Sequence, residues 1–199
     1  MENFTTNKEA WDLAKKLLAQ AEENEPTITA DLQNIATAVS AEFVGLRNKF
    51  KTEESLTRKL VDKSFGDSQK LWQAAKTIND VLRYTFVLPF EIYAKGFHRT
   101  IKELRRTGYR IPEYKIWNAW HNVGSDKDRG YRGINITAIS SKRQKFELQF
   151  HTEESFQLKT ETHFLYEESR DKKTSRERIV EIIEILKNSA TNIKKPNGV

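Results

Sequence analysis

The sequence has no cysteine among its 199 residues. This absence excludes disulfide bonds and zinc sites built from thiolates. The chain also has no apolar run approaching the roughly 18 residues that a membrane-spanning helix needs, so we expect no membrane partner. No basic stretch followed by an apolar segment stands at the N-terminus, which predicts no signal peptide. We therefore expect a cytoplasmic protein, or one delivered into a target-cell cytoplasm without a signal peptide.

Several catalytic motifs are missing as well. The sequence has no Walker A motif, no nucleophile elbow and no His-Glu-x-x-His, and His163 has no second histidine at zinc-ligand spacing. What the chain does have is positive charge, with a formal net charge of +6 and a pI of about 9.4. This balance favours polyanionic partners such as nucleotides or RNA.

Hydrophobic periodicity changes along the chain. The first quarter has the spacing of amphipathic helices and predicts two of them, separated by a break at Glu25-Pro26, with Thr29 capping the second. Further helices are predicted after the caps Thr52 and Thr152, and over residues 68–77, 91–107 and 179–186. Residues 192–199 read as a loose tail.

The middle of the chain alternates and is rich in aromatic and β-branched residues, which predicts strands. They are expected over residues 82–88, 114–120, 133–139 and 145–152, the last two as a hairpin. We therefore predict the α+β class, with a mixed sheet of about five strands flanked by helices and an N-terminal helical portion.

A basic cluster precedes and enters the third predicted helix. Arg47, Lys49 and Lys51 come before the helix, and Ser55 and Lys59 share one of its faces. The first turn of a helix favours anions because its backbone N–H groups are unpaired. The cluster therefore predicts a polyphosphate site, although a solvated basic face would have the same composition.

Asp80 stands before the strand at residues 82–88, three residues ahead of Arg83. Mg²⁺ in phosphate-transfer sites usually takes one or two carboxylates plus phosphates, and a guanidinium can fork onto phosphate oxygens. A spacing of three puts the two residues on opposite faces of a regular strand, so Asp80 must lie in the preceding turn. A local ion pair at the start of the strand is the alternative interpretation.

The loop at residues 127–133 is cationic and flanked by glycines. The glycines allow close backbone approach, Lys127 and Arg132 supply charge, and Tyr131 offers a ring on which a base can stack. These features predict a site for a phosphorylated ligand. An ordinary basic surface loop is the alternative.

The strand at residues 145–152 has two chemically different faces. Strict alternation puts three apolar side chains on one face and Glu147, Gln149 and His151 on the other. Together with Asp80, Glu147 would make a minimal magnesium site of the kind used in phosphoryl and pyrophosphoryl transfer. A solvent-exposed glutamate on a strand is the alternative.

Taken in this order, the clusters resemble the synthetase domain of the RelA/SpoT family of alarmone synthetases and their toxin relatives. The family's Arg-x-Lys-x-x-x-Ser-x-x-x-Lys stretch is matched at residues 49–59, and its aspartate and arginine are matched by Asp80 and Arg83. Its Lys-x-x-Gly-Tyr loop is matched at residues 127–131 and its Glu-[Ile/Leu]-Gln strand at residues 147–152. A helix with a His and Tyr-Glu follows in the family, and here it has His163, Tyr166 and Glu167. The resemblance covers about residues 43–170.

Some matched positions depart from the family pattern. Asn135 stands where the family has a histidine, His151 replaces an arginine, and Lys49 replaces the first arginine of the phosphate stretch. The spacing between Asp80 and Arg83 is also shorter than in the family. No hydrolase or regulatory domain is visible. These features indicate a divergent single-domain branch, in which toxins are common.

The resemblance implies a Mg²⁺-dependent pyrophosphokinase that moves pyrophosphate from ATP to the ribose 3′-hydroxyl of a purine nucleotide. The products would be of the (p)ppGpp or (p)ppApp type. By resemblance, the catalytic residues are Glu147, Asp80 and Arg83, and the two carboxylates bind the metal. The donor ATP would be held by Arg47, Lys49, Lys51, Ser55 and Lys59, and the acceptor by Lys127, Tyr131, Arg132, Asn135, Gln149 and His151.

On this interpretation the chain has an N-terminal helical portion at residues 1–42, a RelA/SpoT-like synthetase domain at residues 43–170, and a C-terminal helix with a flexible basic tail at residues 171–199. A growth-inhibiting toxin would have a neutralising antitoxin or immunity protein as a partner. Two alternatives stay open. One is pyrophosphorylation of the 3′ end of tRNA, which the +6 charge favours; the other is an inactive RNA- or protein-binding module.

Overall fold

The computed structural model describes residues 2–171 and 173–199, so Met1 and Lys172 of the predicted terminal portions lie outside the described residues. The strands are β1 (Glu42–Val44), β2 (Leu82–Val87), β3 (Ile116–Asn118), β4 (Ile134–Ile139) and β5 (Lys145–His151). They form one sheet in the order β1-β2-β5-β4-β3. The pairing of β2 with β5 is parallel and the other pairings are antiparallel. The predicted mixed sheet is confirmed.

Helices pack around this sheet and confirm the predicted α+β class. They are α1 (Glu2–Val39), α2 (Glu53–Lys63), α3 (Leu71–Thr77), α4 (Tyr93–Arg106), α5 (Glu153–Glu161), α6 (His163–Ser169) and α7 (Arg176–Ser189). In the described part of the chain, none of them combines the length and apolarity needed to cross a membrane.

The strand register gives the sheet one apolar and one polar face. Tyr84, Leu148 and Ile136 are partners across β2, β5 and β4, and all three are buried. Helices cover this face: the Thr29 hydroxyl of α1 hydrogen-bonds the Tyr84 hydroxyl at 3.0 Å, and Phe97 of α4 meets the ring of a β5 phenylalanine edge-on. Because side chains alternate along a strand, the opposite face is left with the polar residues.

Helix α1 runs without interruption through Pro26, so the predicted break at Glu25-Pro26 is wrong. A proline inside a helix removes one backbone hydrogen bond and costs about 3 kcal/mol. Buried Ala21 and Ile28, on either side of it, belong to the same core, and packing of both halves keeps the helix continuous. Thr29, the predicted cap, lies inside the helix and donates a hydrogen bond to Glu25.

The other predicted elements are present with shifted ends. Thr52 and Thr152 cap α2 and α5, each accepting a hydrogen bond from the backbone N–H three residues later. The strand predicted over residues 114–120 is reduced to β3, with 3-10 turns on both sides. One reason is local: the Asn118 side chain accepts a hydrogen bond from the Trp120 N–H and ends the strand.

The C-terminal tail lies against the core. The described residues 190–199 contain no helix or strand, yet Pro196 is buried and Ile193 and Val199 pack against the hydrophobic core. These contacts anchor the segment that was predicted to be loose. The division of the chain into three parts stays a prediction.

The loop before β4 is held against α7 by a glycine. Gly130 has a φ of +76°, and a Cβ there would collide with the backbone carbonyl of Leu186. The Asp128 carboxylate fixes the same loop by accepting hydrogen bonds from the N–H groups of Gly124 and Gly130 and from the Arg132 guanidinium. The loop is therefore ordered by its own ion pair and by its contact with α7.

Replacing Gly130 with alanine should destabilise the protein more than replacing Gly124. The two glycines have nearly the same φ, +76° and +75°, so the conformational cost is shared, but a Cβ at Gly124 meets nothing within 4 Å. We expect Gly130→Ala to lower the free energy of unfolding by about 2 kcal/mol more than Gly124→Ala, as measured by urea unfolding. Equal losses in the two variants would show that the contact with α7 does not constrain the loop.

Candidate active site

A short bridge brings the basic cluster to the beginning of β2. Phe50 pairs with Leu82 in an antiparallel bridge. The Lys51 N–H donates to the Val81 carbonyl at 2.9 Å, and the Arg83 N–H donates to the Lys49 carbonyl at 2.7 Å. Two clusters that are separate in the sequence therefore lie side by side, with α2 directly after them.

Asp80 is at the centre of this region, in the segment between α3 and β2, as its spacing predicts. Its surface is 8% exposed, and its carboxylate accepts hydrogen bonds from Lys51 Nζ at 3.2 Å and Lys59 Nζ at 2.8 Å. Burial raises the pKa of Asp80, but the charges and hydrogen bonds of the two lysines outweigh it and hold that pKa below its usual value. Asp80 is thus a buried carboxylate clamped by two cations.

Arg83 and Glu147 face each other on the polar side of the sheet. They are register partners on the parallel strands β2 and β5, and Thr137 of β4 is the partner of Glu147 on its other side. Within residues 2–171 and 173–199, the buried Arg83 Nε has no hydrogen-bond partner. A buried donor without a partner costs free energy, so this Nε–H is suited to donate a hydrogen bond to an oxygen atom of a bound ligand.

Glu147 lies in an environment that favours its protonated form. Burial raises the pKa of Glu147; a hydrogen bond from Gln149 lowers it, and the nearby negative charge of Asp80 raises it again. The net effect is a pKa above the usual value for glutamate. A carboxylate with a raised pKa is a stronger base, as general-base catalysis requires.

Lys159 of α5 is a site residue that the sequence analysis missed. Its Nζ donates to Gln149 Oε1, and Gln149 Nε2 donates to Glu147 Oε1. Burial lowers the pKa of Lys159 to about 8, although the charge of Glu147 acts in the opposite direction. The available signal was its position one turn after Ser155, on the helix face that looks back at β5.

The Tyr131 side chain is in place at the far end of the polar face. Its hydroxyl donates to Asn135 Oδ1 at 2.6 Å and lies 3.0 Å from His151 Nε2. The His151 ring is fully buried and bonds the Ser155 hydroxyl through Nδ1. Burial lowers the pKa of His151 well below its usual value, so it is a neutral support for Tyr131.

Trp117 completes an aromatic pair that the sequence did not reveal. Its ring stacks on Tyr131, with centroids 5.3 Å apart and planes inclined by 22°. Trp117 is 47% exposed and is the register partner of Asn135 on the same face of the sheet. Its exposure shows that the aromatic surface continues outward from Tyr131 to solvent.

Other predicted binding residues lie outside this arrangement or have partners of their own. Arg132 is buried and its guanidinium bonds Asp128 through two nitrogens, which gives it a structural task in the loop. Lys49 Nζ pairs with Glu25 of α1 at 3.0 Å. Three more predicted residues make no contact with Asp80 or Glu147 in the described hydrogen-bond network: Arg47 and Lys127, which are exposed, and Ser55, which is half-buried.

The assembled site is positively charged around two carboxylates. Four cationic side chains, those of Lys51, Lys59, Arg83 and Lys159, interact with Asp80 or Glu147. No group of three or more His, Cys, Asp or Glu side chains that could hold a metal occurs among the described residues. Two carboxylates fit Mg²⁺, because that ion completes its oxygen shell with substrate phosphates and water. The Arg83 guanidinium beside them can donate hydrogen bonds to the same phosphates.

The fold around this site is that of the RelA/SpoT-type synthetases, which confirms the resemblance. Small alarmone synthetase 2 from Bacillus subtilis superposes with a TM-score of 0.61 at 16% identity, covering 89% of this chain and 90% of that one. Small alarmone synthetase 1 from the same organism, bound to its product pppGpp, gives a TM-score of 0.57 at 14% identity, with coverage of 89% and 90%.

A toxin structure has the same fold. The complex between the Type VI effector Tas1 and its immunity protein matches with a TM-score of 0.56 at 16% identity, covering 89% of this chain and 94% of that chain. No protein-family model matches the sequence, and no curated protein matches it. The similarity is therefore one of fold.

The pKa of Lys159 provides a direct check of the site. We expect its ammonium to titrate near pH 8 when followed by NMR of ¹³C-labelled lysine. Glu147→Gln should lower that pKa further, because the Glu147 charge is the interaction that raises it against burial. The control is Glu154→Gln, which removes an exposed carboxylate of α5 and should leave the titration unchanged. A pKa near 10 in the wild type would place Lys159 outside the site.

Proposed function

We propose that the protein is a Mg²⁺-dependent nucleotide pyrophosphokinase that transfers pyrophosphate from ATP to the ribose 3′-hydroxyl of a purine nucleotide. The observation that carries the proposal is the pairing of Arg83 with Glu147 across β2 and β5, beside Asp80 and its two lysines. Two carboxylates among four cations, on the polar face of a RelA/SpoT-type synthetase fold, suit a reaction between two polyanions.

The cations support binding of the donor triphosphate. Lys59 enters from α2, Arg83 from β2 and Lys159 from α5, so positive charge surrounds the site on several sides. The unsatisfied Arg83 Nε can donate to a phosphate oxygen without breaking an existing bond. Lys51 and Lys59 are already ordered by Asp80, which reduces the entropy lost when a phosphate binds.

Transfer needs a base and correct positioning. The acceptor 3′-oxygen forms a bond to the β-phosphorus of ATP, and the bond from that phosphorus to the α,β-bridging oxygen breaks, releasing AMP. Glu147 takes the proton of the 3′-hydroxyl, a role for which its raised pKa is suited. The protein forms no covalent intermediate, so orientation and charge neutralisation supply the catalysis.

Asp80 and Glu147 are the residues that would hold Mg²⁺. The ion, when bound, neutralises charge on the phosphates. Asp80 stays ionised because Lys51 and Lys59 keep its pKa low, so an anionic oxygen is available throughout the neutral pH range. Lys51 and Lys59, which bond Asp80, would supply positive charge beside the ion and the phosphates.

The aromatic pair of Tyr131 and Trp117 supports acceptor binding. A purine has the flat π-surface that stacks on such rings. The hydroxyl bonds of Tyr131 to Asn135 and His151 hold its ring in a fixed orientation. Gln149 links Glu147 to Lys159 with both ends of its amide, so its task is to orient the base rather than to bind the acceptor.

The product class and biological role follow from the same chemistry. Pyrophosphate on the 3′-oxygen of a guanine or adenine nucleotide gives (p)ppGpp- or (p)ppApp-type products and consumes ATP. The fold is shared with a Type VI effector that has an immunity protein, which supports a growth-inhibiting toxin acting in a cytoplasm, with a neutralising partner.

A labelled-transfer assay tests the function. The protein, Mg²⁺ and γ-labelled ATP are incubated with GDP, GTP, AMP, ADP or deacylated tRNA, and both AMP release and the labelled product are followed. Label on a purine nucleotide is the expected result. Label on tRNA would replace the acceptor class in the proposal, and no transfer to any acceptor would leave the inactive binding module.

Glu147→Gln should reduce transfer by about 10²–10³-fold or more, because the amide can neither take the proton nor bind the metal as an anion. The substitution preserves the size of the side chain, and circular dichroism should show an unchanged fold. Glu154→Gln, an exposed change on α5, is the matched control and should keep wild-type rates. Wild-type rates in Glu147→Gln would contradict the assignment.

The alkaline side of the pH profile of transfer should be set by Lys159. Its ammonium must be protonated to hold phosphate, so kcat/KM, which reports the free enzyme, should fall as pH increases through about 8. Lys159→Arg should shift the alkaline limb to higher pH, because a guanidinium stays charged there. An alkaline limb that does not move in this variant would exclude Lys159 as its origin.

A further inference from the structure

A second concentration of positive charge lies at the end of the β4–β5 hairpin. A depression of about 500 Å³ is lined there by the cations Arg110, Arg143 and Lys145, by the hydroxyls of Ser140 and Ser141, and by no carboxylate. Among the described residues, none of the three cations forms an ion pair with an acidic side chain. Positive charge that the protein itself leaves uncompensated is available to an anionic ligand.

Backbone bonds hold the lining in place. Arg110 and Ile139 exchange two N–H···O bonds of 2.9 Å each, which fixes Arg110 to the end of β4. In the hairpin turn, the Arg143 N–H donates to the Ser140 carbonyl at 2.9 Å, and Arg143 has a φ of +65°. Residues other than glycine rarely adopt such a φ. This backbone conformation costs free energy, which the surrounding hydrogen bonds must offset.

The cations repel one another. Arg110, Arg143 and Lys145 line one depression with no carboxylate among them, and the charges of Arg110 and Lys115 act on Lys145. An anion bound among these side chains would relieve the repulsion. Lys115 does not line the depression, but its positive charge adds to that of the lining residues.

The depression is lined by residues other than those assigned to catalysis. Its lining residue Lys145 lies on β5, two residues before Glu147, and Lys145 Nζ donates to the Lys76 carbonyl at the end of α3. Asn79 Nδ2 donates to Thr137 Oγ1 at 2.6 Å. The segment at residues 76–80 is therefore bonded to both β5 and β4.

A smaller depression of about 220 Å³ adjoins the first one. The two share Gly108 and both serines. The smaller one is also lined by Lys142 and by Asp31, whose carboxylate accepts a hydrogen bond from Tyr109. An anionic group would occupy the basic depression, and a hydroxyl or amino group of the same molecule could reach the carboxylate.

We propose that the basic depression is a second ligand site that binds a small molecule through two or more linked phosphates. Three neighbouring cations match a polyphosphate better than a single charge, and the volume of the depression is in the range of small-ligand pockets. The proposal does not depend on the enzymatic activity proposed above. Its test therefore measures binding and can succeed or fail independently of transfer.

The test uses tripolyphosphate as the probe and backbone amide NMR as the readout. We expect titration to shift the amide signals of Ser140, Ser141 and Gln144 in the wild-type protein. In Arg110→Gln/Arg143→Gln, the dissociation constant read from these signals should rise at least 10-fold, while the ligand-free amide signals of Gln149 and Tyr131 stay at their wild-type positions. These unchanged positions show that the variant is folded.

The matched control is Arg99→Gln/Arg105→Gln, which removes the same charge from exposed positions on α4. It should bind tripolyphosphate at the hairpin like the wild type. An equal loss of affinity in both double variants would show that net charge alone attracts the probe and would overturn the site. So would the absence of any shift at the hairpin, or hairpin shifts with an RNA oligonucleotide and not with tripolyphosphate.

Discussion

The buried carboxylate of Asp80, held between Lys51 and Lys59, is the interaction on which the site depends. A buried charge is tolerated when it is paired, and removing one partner of such a pair typically costs about 3–5 kcal/mol. The two ion pairs of Asp80 also join three elements: the bridge beside β2, which contains Lys51; helix α2, which contains Lys59; and the segment after α3, which contains Asp80. Its position fixes where the lysine ammonium groups lie relative to Glu147, and its charge influences the pKa of that residue.

The core and the site are two sides of the same strands. Leu148 points into the core and Glu147 into the site, and the same holds for Tyr84 and Arg83 one strand away. A slip of one residue in the pairing of β2 with β5 would bury the charges and expose the apolar side chains. Burial of the apolar face therefore enforces the register that aligns Arg83 with Glu147, so fold stability and site geometry have one cause.

Sequence patterns predicted the parts of the site that are set locally. Alternation placed Glu147 on the polar face, and strand spacing placed Asp80 in the turn before β2. Lys159 was missed because its role comes from the packing of α5 against β5, which no local period encodes. Packing also explains why the predicted break at Pro26 is wrong, because burial on both sides of it along α1 overrides a strong local signal. Arg132 was predicted to bind the acceptor, but its guanidinium pairs with Asp128 in its own loop.

The parallel pairing of β2 with β5 has a consequence for synthesis of the chain. Arg83 is made early, but its partner Glu147 and the supporting Lys159 come from the last third of the sequence. Contacts so distant along the chain form late in folding. A nascent chain on the ribosome therefore has no complete site until α5 has emerged. For the toxin role proposed above, this order would delay activity until the C-terminal elements are available.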